Sequence, residues 1–303
     1  MGQSLGINNI PAPKRCSYAC VYCQVGYTVK MAIQPAPLYE IGGLYEEVSE
    51  RVEKIEARGE KIDYITFVAD GEPTLDINLG REIGLLRQIG IPIAVISNAS
   101  LIYQQGVREG LMKADWVSLK VDAVDEGVWR RVNRPHGQLR LSAILDGILE
   151  FSRSYCGHLV TETMLVKGVN DNVGGLERTS SFLGKVKPKT AYISVPTRPP
   201  TEKWVMAPDD KTIVAAYHAF KGHLDSVELL IGYEGNAFSI AGDAGEDILG
   251  IASVHPLRDD ALASILDRLG LGWDFIDRLK AENRLAEVSY GGHTFYLRKA
   301  RPR

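Results

Sequence analysis

The stretch Ile62-Asp63-Tyr64-Ile65-Thr66-Phe67-Val68, followed shortly by Asp70-Gly71-Glu72-Pro73, decides the fold class of this chain. The first seven residues are rich in β-branched and aromatic side chains, which predicts a strand. The polar segment after it contains glycine and proline, which is typical of a turn between a strand and a helix. A strand, a polar turn and a helix together form the repeating unit of a parallel α/β fold.

The same unit recurs on both sides of this stretch. Apolar residues at helical spacing predict helices near residues 38–55, 78–88, 105–112, 128–132, 141–151, 176–183 and 212–221. Short apolar runs predict strands near residues 91–96, 116–121, 158–166 and 190–195, with further apolar runs at 5–7 and 227–231. This alternation indicates a parallel sheet or barrel, with the chemistry in the loops that follow the strands.

A second, smaller unit is expected at the C-terminal end. Small residues cluster near 235–246, and we interpret residues 236–256 as a linker or boundary. Two predicted helices (259–269 and 272–283) and a hairpin around Gly291-Gly292 then indicate a winged helix-turn-helix-like domain over residues 257–303. This domain has nine basic and seven acidic residues, a modest excess of positive charge.

Composition excludes several classes of protein. The 303 residues carry a net charge of −3, so no strong cationic field is available for wholesale binding of nucleic acid. No apolar run approaches the roughly 20 residues that span a bilayer, and the first residues lack the pattern of a signal peptide. We therefore expect a cytoplasmic protein with no membrane partner.

Three of the four cysteines lie within eight residues, as Cys16-x3-Cys20-x2-Cys23, and Cys156 lies far away. Clustered thiolates select zinc, copper(I) or iron–sulfur clusters. A structural zinc site needs four protein ligands, usually as two separated pairs, and Cys156 has no companion with which to form a second pair. A cubane cluster held by three cysteines leaves one iron open to a small molecule. From spacing alone, a zinc site or a chance grouping stays an alternative.

The Cys-x3-Cys-x2-Cys spacing, with Tyr22 before the last cysteine, resembles the radical S-adenosylmethionine (SAM) superfamily. The resemblance implies a partial (β/α)6 barrel over residues 1–235 and a [4Fe-4S] cluster on Cys16, Cys20 and Cys23. It also implies SAM as cofactor, cleaved reductively to methionine and a 5′-deoxyadenosyl radical that takes a hydrogen atom from the substrate. A one-electron reductant of the flavodoxin or ferredoxin type would be a partner.

Further residues stand where this family binds SAM. Asp70-Gly71-Glu72-Pro73 resembles the family's Gly-Gly-Glu-Pro motif, with Asp70 in place of the first glycine. The alternative for residues 70–73 is an ordinary turn with no role in binding. Lys120 is a second candidate for cofactor binding, and its alternative is a lysine paired with a neighbouring acid. The candidate cofactor-binding residues are Tyr22, Asp70, Gly71, Glu72, Asn98, Ser118 and Lys120.

Two residues are candidates for a catalytic or substrate-side role. Glu162 lies on the fifth main strand, where a carboxylate facing the barrel interior is costly unless it is paired or hydrated. Arg198 lies in a proline-rich loop after the sixth strand, where it could bind an anionic substrate or belong to a rigid turn. Cys156 is interpreted as a small structural residue.

Several short segments resemble the Fe–S oxidoreductases related to tRNA wyosine-base synthases. These segments are 16–24, 70–75, 97–100, 133–135 and 198–200. The leading prediction is therefore a radical SAM enzyme that abstracts hydrogen from a tRNA nucleoside. The alternatives are a radical activase or modifier of a protein, peptide or small metabolite, and a non-catalytic metal-binding regulator of nucleic acid.

Overall fold

The computed structural model describes residues 2–232 and 243–299. Part of the predicted linker, residues 236–242, lies outside the described residues. The strands are β1 (Ser4–Ile7), β2 (Arg15–Cys16), β3 (Lys30–Met31), β4 (Tyr64–Phe67), β5 (Ile93–Ser97), β6 (Trp116–Lys120), β7 (His158–Met164), β8 (Thr190–Ser194), β9 (Val227–Leu230), β10 (Leu257–Arg258), β11 (Leu285–Tyr290) and β12 (His293–Arg298). The helices are α1 (Leu44–Glu56), α2 (Leu79–Leu86), α3 (Gln105–Leu111), α4 (Glu126–Asn133), α5 (Leu141–Ser154), α6 (Val173–Val186), α7 (Asp210–Lys221), α8 (Ala244–Val254), α9 (Asp259–Leu269) and α10 (Asp274–Ala281).

One parallel sheet forms the larger unit. Its strands lie in the order β1-β4-β5-β6-β7-β8-β9, so each strand pairs with the next main strand along the chain. Helices cross between consecutive strands from β4 onward, as the alternating pattern predicts. The prediction of a partial barrel is confirmed. The sheet has seven strands where the prediction had six, because the last apolar run, at 227–231, also pairs as β9.

The two faces of each central strand are buried against different partners. Val117 and Leu119 face the core between sheet and helices. Trp116 packs instead with Ala94 and Val160 in a separate cluster, which we name the barrel floor. Alternation puts Lys120 on the same face of β6 as Trp116, but at the C-terminal end of the strand. The barrel interior is therefore apolar at the strand starts and polar at the strand ends.

The C-terminal unit has its own core. Helices α8, α9 and α10 pack with a three-stranded antiparallel sheet in the order β10-β12-β11. Helix α8 occupies most of the range predicted as a linker, and Ile248 and Leu249 are buried in this second core. The glycines at 245 and 250 conceal its helical pattern in the sequence. The winged helix-turn-helix assignment and the domain boundaries stay predictions.

The two units make polar contacts. Arg51 on α1 forms an ion pair with Asp247 on α8 at 2.6 Å, and Glu60 pairs with Arg268. The hydroxyl of Tyr290 on β11 donates to the carbonyl of Pro196, in the loop that follows β8. The C-terminal hairpin thus reaches the side of the barrel where the main strands end. None of the helices in the described part of the chain is long and apolar enough to cross a membrane.

Candidate active site

The cysteine segment is held against the C-terminal end of α4. The backbone N–H of Ala19 donates to the carbonyl of Asn133 at 3.0 Å, and that of Val21 donates to Val132 at 3.0 Å. These bonds fix the conformation of the loop between the cysteines. The Asn-Arg-Pro segment at 133–135 therefore has a structural role beside the cysteines that its sequence does not reveal.

Each of the three clustered thiols accepts a hydrogen bond from a nitrogen donor on a different segment. The pairs are Asn98 Nδ2 to Cys16 Sγ at 3.3 Å, Asn133 Nδ2 to Cys20 Sγ at 3.4 Å, and Lys14 Nζ to Cys23 Sγ at 3.0 Å. N–H donors around sulfur are typical of iron–sulfur sites, where they stabilise thiolate charge.

Burial strongly affects two of these thiols. It raises the pKa of Cys16 to about 12, with Glu72 as a further cause, and raises the pKa of Cys20 well above the ordinary range, with Asp122 as a further cause. A bound cation reverses this penalty, because it favours the thiolate directly. Cys16 and Cys20 would therefore be present as thiolates near neutral pH only with a bound cation.

The donor set fits an iron–sulfur cluster better than a single metal ion. Among residues 2–232 and 243–299, no group of three or more His, Cys, Asp or Glu side chains is placed to hold one ion. A mononuclear zinc site needs four ligands that converge on the metal. Cysteines that bind separate irons of a cubane need not converge on one point.

The Asp-Gly-Glu-Pro motif is joined to the cysteine segment. Gly71 forms a parallel bridge with Arg15, and the N–H of Glu72 donates to the carbonyl of Arg15 at 3.1 Å. A Cβ on Gly71 would lie 1.7 Å from that carbonyl oxygen. Glycine at 71 is therefore required by the close approach of the chain's own backbone, whatever ligand binds nearby.

The carboxylate of Glu72 is surrounded by donors from the chain itself. One oxygen accepts from the backbone N–H (3.2 Å) and hydroxyl (2.6 Å) of Thr74 and from the hydroxyl of Ser97 (2.7 Å). The other accepts from the backbone N–H of Asn98 at 2.7 Å. Burial raises the pKa of Glu72 and these bonds oppose the rise. Glu72 thus shapes the loop after β5, which in turn presents Asn98 to Cys16.

Asp70 lies between the two units. Burial raises the pKa of its carboxyl to about 6, and the positive charges of Arg298 and Lys14 oppose the rise. One of its oxygens, Oδ1, is buried without a hydrogen-bond partner. The residue that departs from the family motif is therefore the one whose charge interacts with Arg298 of the C-terminal hairpin.

Lys120 and Glu162 form an ion pair at the C-terminal ends of β6 and β7. Lys120 Nζ lies 2.8 Å from Glu162 Oε1, which also accepts from the hydroxyl of Ser194 at 2.7 Å. Burial alone would raise the pKa of Glu162, but the charge and hydrogen bond of Lys120 together with the hydrogen bond of Ser194 outweigh it, and the pKa is lowered. Nearby acids likewise raise the pKa of Lys120 against the effect of burial. This geometry matches the alternative prediction for Lys120, namely a lysine paired with a neighbouring acid.

Tyr22 connects the ion pair to the cysteine loop. The Lys120 ammonium lies 5.2 Å from the centre of the Tyr22 ring, and the Tyr22 hydroxyl donates to Asp122. We name Tyr22, Lys120, Asp122, Glu162 and Ser194 the barrel rim. Ser118 is buried on β6, two residues before Lys120.

The structure adds residues that sequence reasoning did not single out as site residues. Asp122 accepts from Asn133 Nδ2 at 2.6 Å and from the N–H of Met164 at 2.9 Å, in addition to Tyr22. Its position at the end of the strand that carries Lys120 was an available signal. Lys14, two residues before the first cysteine, had no signal, because its contact with Cys23 depends on the path of the loop.

Arg198 is buried, at 6% exposure, and its Nη1 lies 3.5 Å from the side-chain oxygen of Gln24. In the same loop, the Thr201 hydroxyl donates to the carbonyl of Cys23 at 2.6 Å. The proline-rich loop after β8 therefore packs directly on the cysteine loop. Cys156 is a free, exposed thiol just before β7, apart from the other three in the described structure.

A partial parallel barrel with three hydrogen-bonded thiols beside the strand ends defines a class of iron–sulfur enzyme. The family model for the radical SAM superfamily matches residues 10–174. The chain belongs to the radical SAM superfamily, whose members use a [4Fe-4S] cluster and SAM and need an electron donor.

The chain also resembles curated proteins, one of them over its full length. It is 42% identical over 305 residues to a UPF0026 protein of Methanocaldococcus jannaschii, covering 100% of this chain and 94% of the relative. It is 26% identical over 182 residues to an S-adenosylmethionine-dependent nucleotide dehydratase of Lacinutrix mariniflava, covering 57% of this chain and 35% of the relative.

Solved structures show the same fold at low sequence identity. Streptococcus suis SuiB bound to S-adenosylmethionine has a TM-score of 0.55 and 11% identity over 76% of this chain, which spans about half (50%) of SuiB. A radical SAM methyltransferase from Sphaerobacter thermophilus has a TM-score of 0.55 and 13% identity over 77% of this chain and 66% of that one.

Proposed function

We propose that Cys16, Cys20 and Cys23 hold a [4Fe-4S] cluster and that the chain abstracts hydrogen from a nucleoside-containing substrate, with a tRNA nucleoside as the leading candidate. When bound, the cluster and SAM supply the one-electron cleavage chemistry. The observation that carries the proposal is the set of three thiols, each with its own N–H donor.

The chain's own residues would bind and orient the cofactor. Glu72 fixes the loop of Ser97 and Asn98, which lies beside Cys16 and would help to bind SAM. Lys120 and Tyr22 present a cation and an aromatic ring at the same end of the barrel. The loop with Arg198 and Thr201 packs on the cysteine loop and would limit access of water to the bound cofactor.

The nucleoside class is supported by the named relative that acts on a nucleotide. The charge of the C-terminal unit gives only weak support for binding of a long RNA. Lys280 and Arg284 are paired with acidic residues of the same unit, so less positive charge is free for phosphates. A flavodoxin- or ferredoxin-type protein is the proposed electron donor.

Anaerobic reconstitution tests the ligand assignment. The wild-type chain should bind about four irons and release 5′-deoxyadenosine from SAM under reducing conditions. Cys20→Ala should abolish both, because it removes one cluster ligand. Cys156→Ala is the matched control and should leave both unchanged. A Cys20→Ala protein that keeps its iron and still cleaves SAM would refute the assignment.

Isotope transfer tests the substrate class. The chain is incubated with SAM and, in parallel, with uniformly deuterated tRNA, free nucleotides or peptide digest, and deuterium in 5′-deoxyadenosine is measured. We expect transfer from tRNA or nucleotides. Transfer from peptides alone would instead favour the modifier or activase alternative.

A further inference from the structure

Lys14 places an ammonium group against the cysteine loop. Its Nζ lies 3.0 Å from Cys23 Sγ and 2.5 Å from the carbonyl oxygen of Gly26. Its backbone is held as well, because the N–H of Lys30 on β3 donates to the Lys14 carbonyl at 3.1 Å. The side chain is half-buried, so this contact belongs to the fold of the loop.

We propose that the Lys14 ammonium is a positioning residue that raises the reduction potential of the cluster held by Cys16, Cys20 and Cys23. It would thereby set how strong an electron donor this enzyme needs. The inference rests on the proposed function, since it requires that these cysteines bind the cluster.

The three donors to the thiols differ in charge. Asn98 and Asn133 donate through neutral amides, whereas Lys14 donates through a cation. One-electron reduction adds a negative charge beside the thiolates. A fixed positive charge stabilises the reduced state more than the oxidised state, and an amide dipole does so less strongly.

Carboxylates near the other two thiols should lower the reduction potential of the cluster, the opposite of the effect of Lys14. Glu72 and Cys16 both accept hydrogen bonds from Asn98, and Asp122 and Cys20 both accept from Asn133 Nδ2, so each carboxylate lies close to one thiol. Both carboxylates are buried, at 1% and 5% exposure, so water screens them weakly. Without a cation, this arrangement would make the cluster harder to reduce. Lys14 is placed to offset it on the side of Cys23.

The surroundings of Cys23 favour a strong effect. The loop after β8 covers this side, with the Thr201 hydroxyl on the Cys23 carbonyl and the N–H of Glu202 on the carbonyl of Val21. A charge in a covered site interacts more strongly than the same charge in water.

The test compares three variants after anaerobic reconstitution, without SAM. Lys14→Gln keeps a donor but removes the charge, Lys14→Arg keeps the charge, and Lys30→Gln removes an exposed charge from the neighbouring strand as a control. The midpoint potential is measured by a redox titration followed by electron paramagnetic resonance, and iron per chain is determined on the same samples.

Lys14→Gln should shift the equilibrium between reduced and oxidised cluster at least tenfold toward oxidised, about 59 mV for one electron. Lys14→Arg and Lys30→Gln should stay within twofold of the wild type. An unchanged potential in Lys14→Gln overturns the inference, and so does a Lys14→Gln protein that takes up no iron, since Lys14 would then only build the loop. A wild-type chain that binds no cluster instead overturns the proposed function.

Discussion

The two ends of the barrel interior are stabilised by different kinds of interaction. The barrel floor, around Trp116, Ala94 and Val160, is apolar and held by packing. The barrel rim, around Lys120, Glu162 and Asp122, consists of buried polar groups that bond to one another and to the cysteine loop. The same strands supply both ends. The difference indicates that stability is concentrated at the strand starts and chemistry at the strand ends.

The largest effect on stability is expected at the barrel floor. Trp116→Ala should lower the free energy of unfolding by about 3–5 kcal/mol, because it leaves a cavity in a closely packed cluster. Trp116 lies four residues from Lys120 along β6, roughly 13 Å at the rise of a strand. Chemical denaturation measures the loss, and iron per chain in the folded variant should equal that of the wild type. Loss of iron would show that the two ends are not independent.

Glu72→Gln should destabilise the polar end of the barrel, where the strands end. It replaces one carboxylate oxygen with an amide that faces hydroxyl and N–H donors, at a cost of about 2–4 kcal/mol. Because Glu72 holds the loop that carries Asn98, this variant should also bind iron poorly. Denaturation and iron analysis together check the result. An iron content equal to that of Trp116→Ala would contradict the proposed link between Glu72 and the cysteines.

Lys120→Met tests the ion pair at the barrel rim. It leaves Glu162 buried without its cation and should cost about 2–3 kcal/mol near neutral pH. The pKa of Glu162 is lowered in the wild type, so the pair stabilises the fold above the ordinary carboxyl range, and that contribution is lost as pH falls. The difference in free energy of unfolding between the variant and the wild type should therefore shrink toward pH 4. Stability measured across pH checks this, and a difference independent of pH would contradict it.

Glu82 on α2 is a buried carboxyl for which the described residues supply no cationic partner. Burial and then repulsion from Asp76 raise its pKa to about 7, against the hydrogen bond from Asn9. Because the folded-state pKa is raised, the wild type loses stability as pH rises through about 7. Glu82→Gln should remove this loss and stabilise the chain by about 1–2 kcal/mol at pH 8, with little effect at pH 5. The same denaturation series measures it. A variant that is less stable than the wild type at pH 8 would show that Glu82 has a cationic partner.

Secondary structure was largely predictable because each strand and each amphipathic helix has a local pattern. The strands at 64–67 and 116–120 and the helix at 105–111 lie within a residue or two of their predicted ranges. Helix α8 was missed, because glycines at 245 and 250 interrupt its apolar pattern. Its burial also depends on a core formed by residues distant in sequence. The pairing of Lys120 with Glu162 depends on the register between β6 and β7, which no local pattern contains.

The sequence by itself determined the class of this protein. Three cysteines in eight residues predict a soft metal centre, and alternating strands and helices can bury their apolar faces in few ways. The tertiary structure alone decided which groups surround those cysteines. The contacts from Lys14, Asn98 and Asn133 join segments up to 113 residues apart. Hydrogen bonds and charge interactions act over a few ångströms in space, and distance along the chain carries no information about them until the chain is folded.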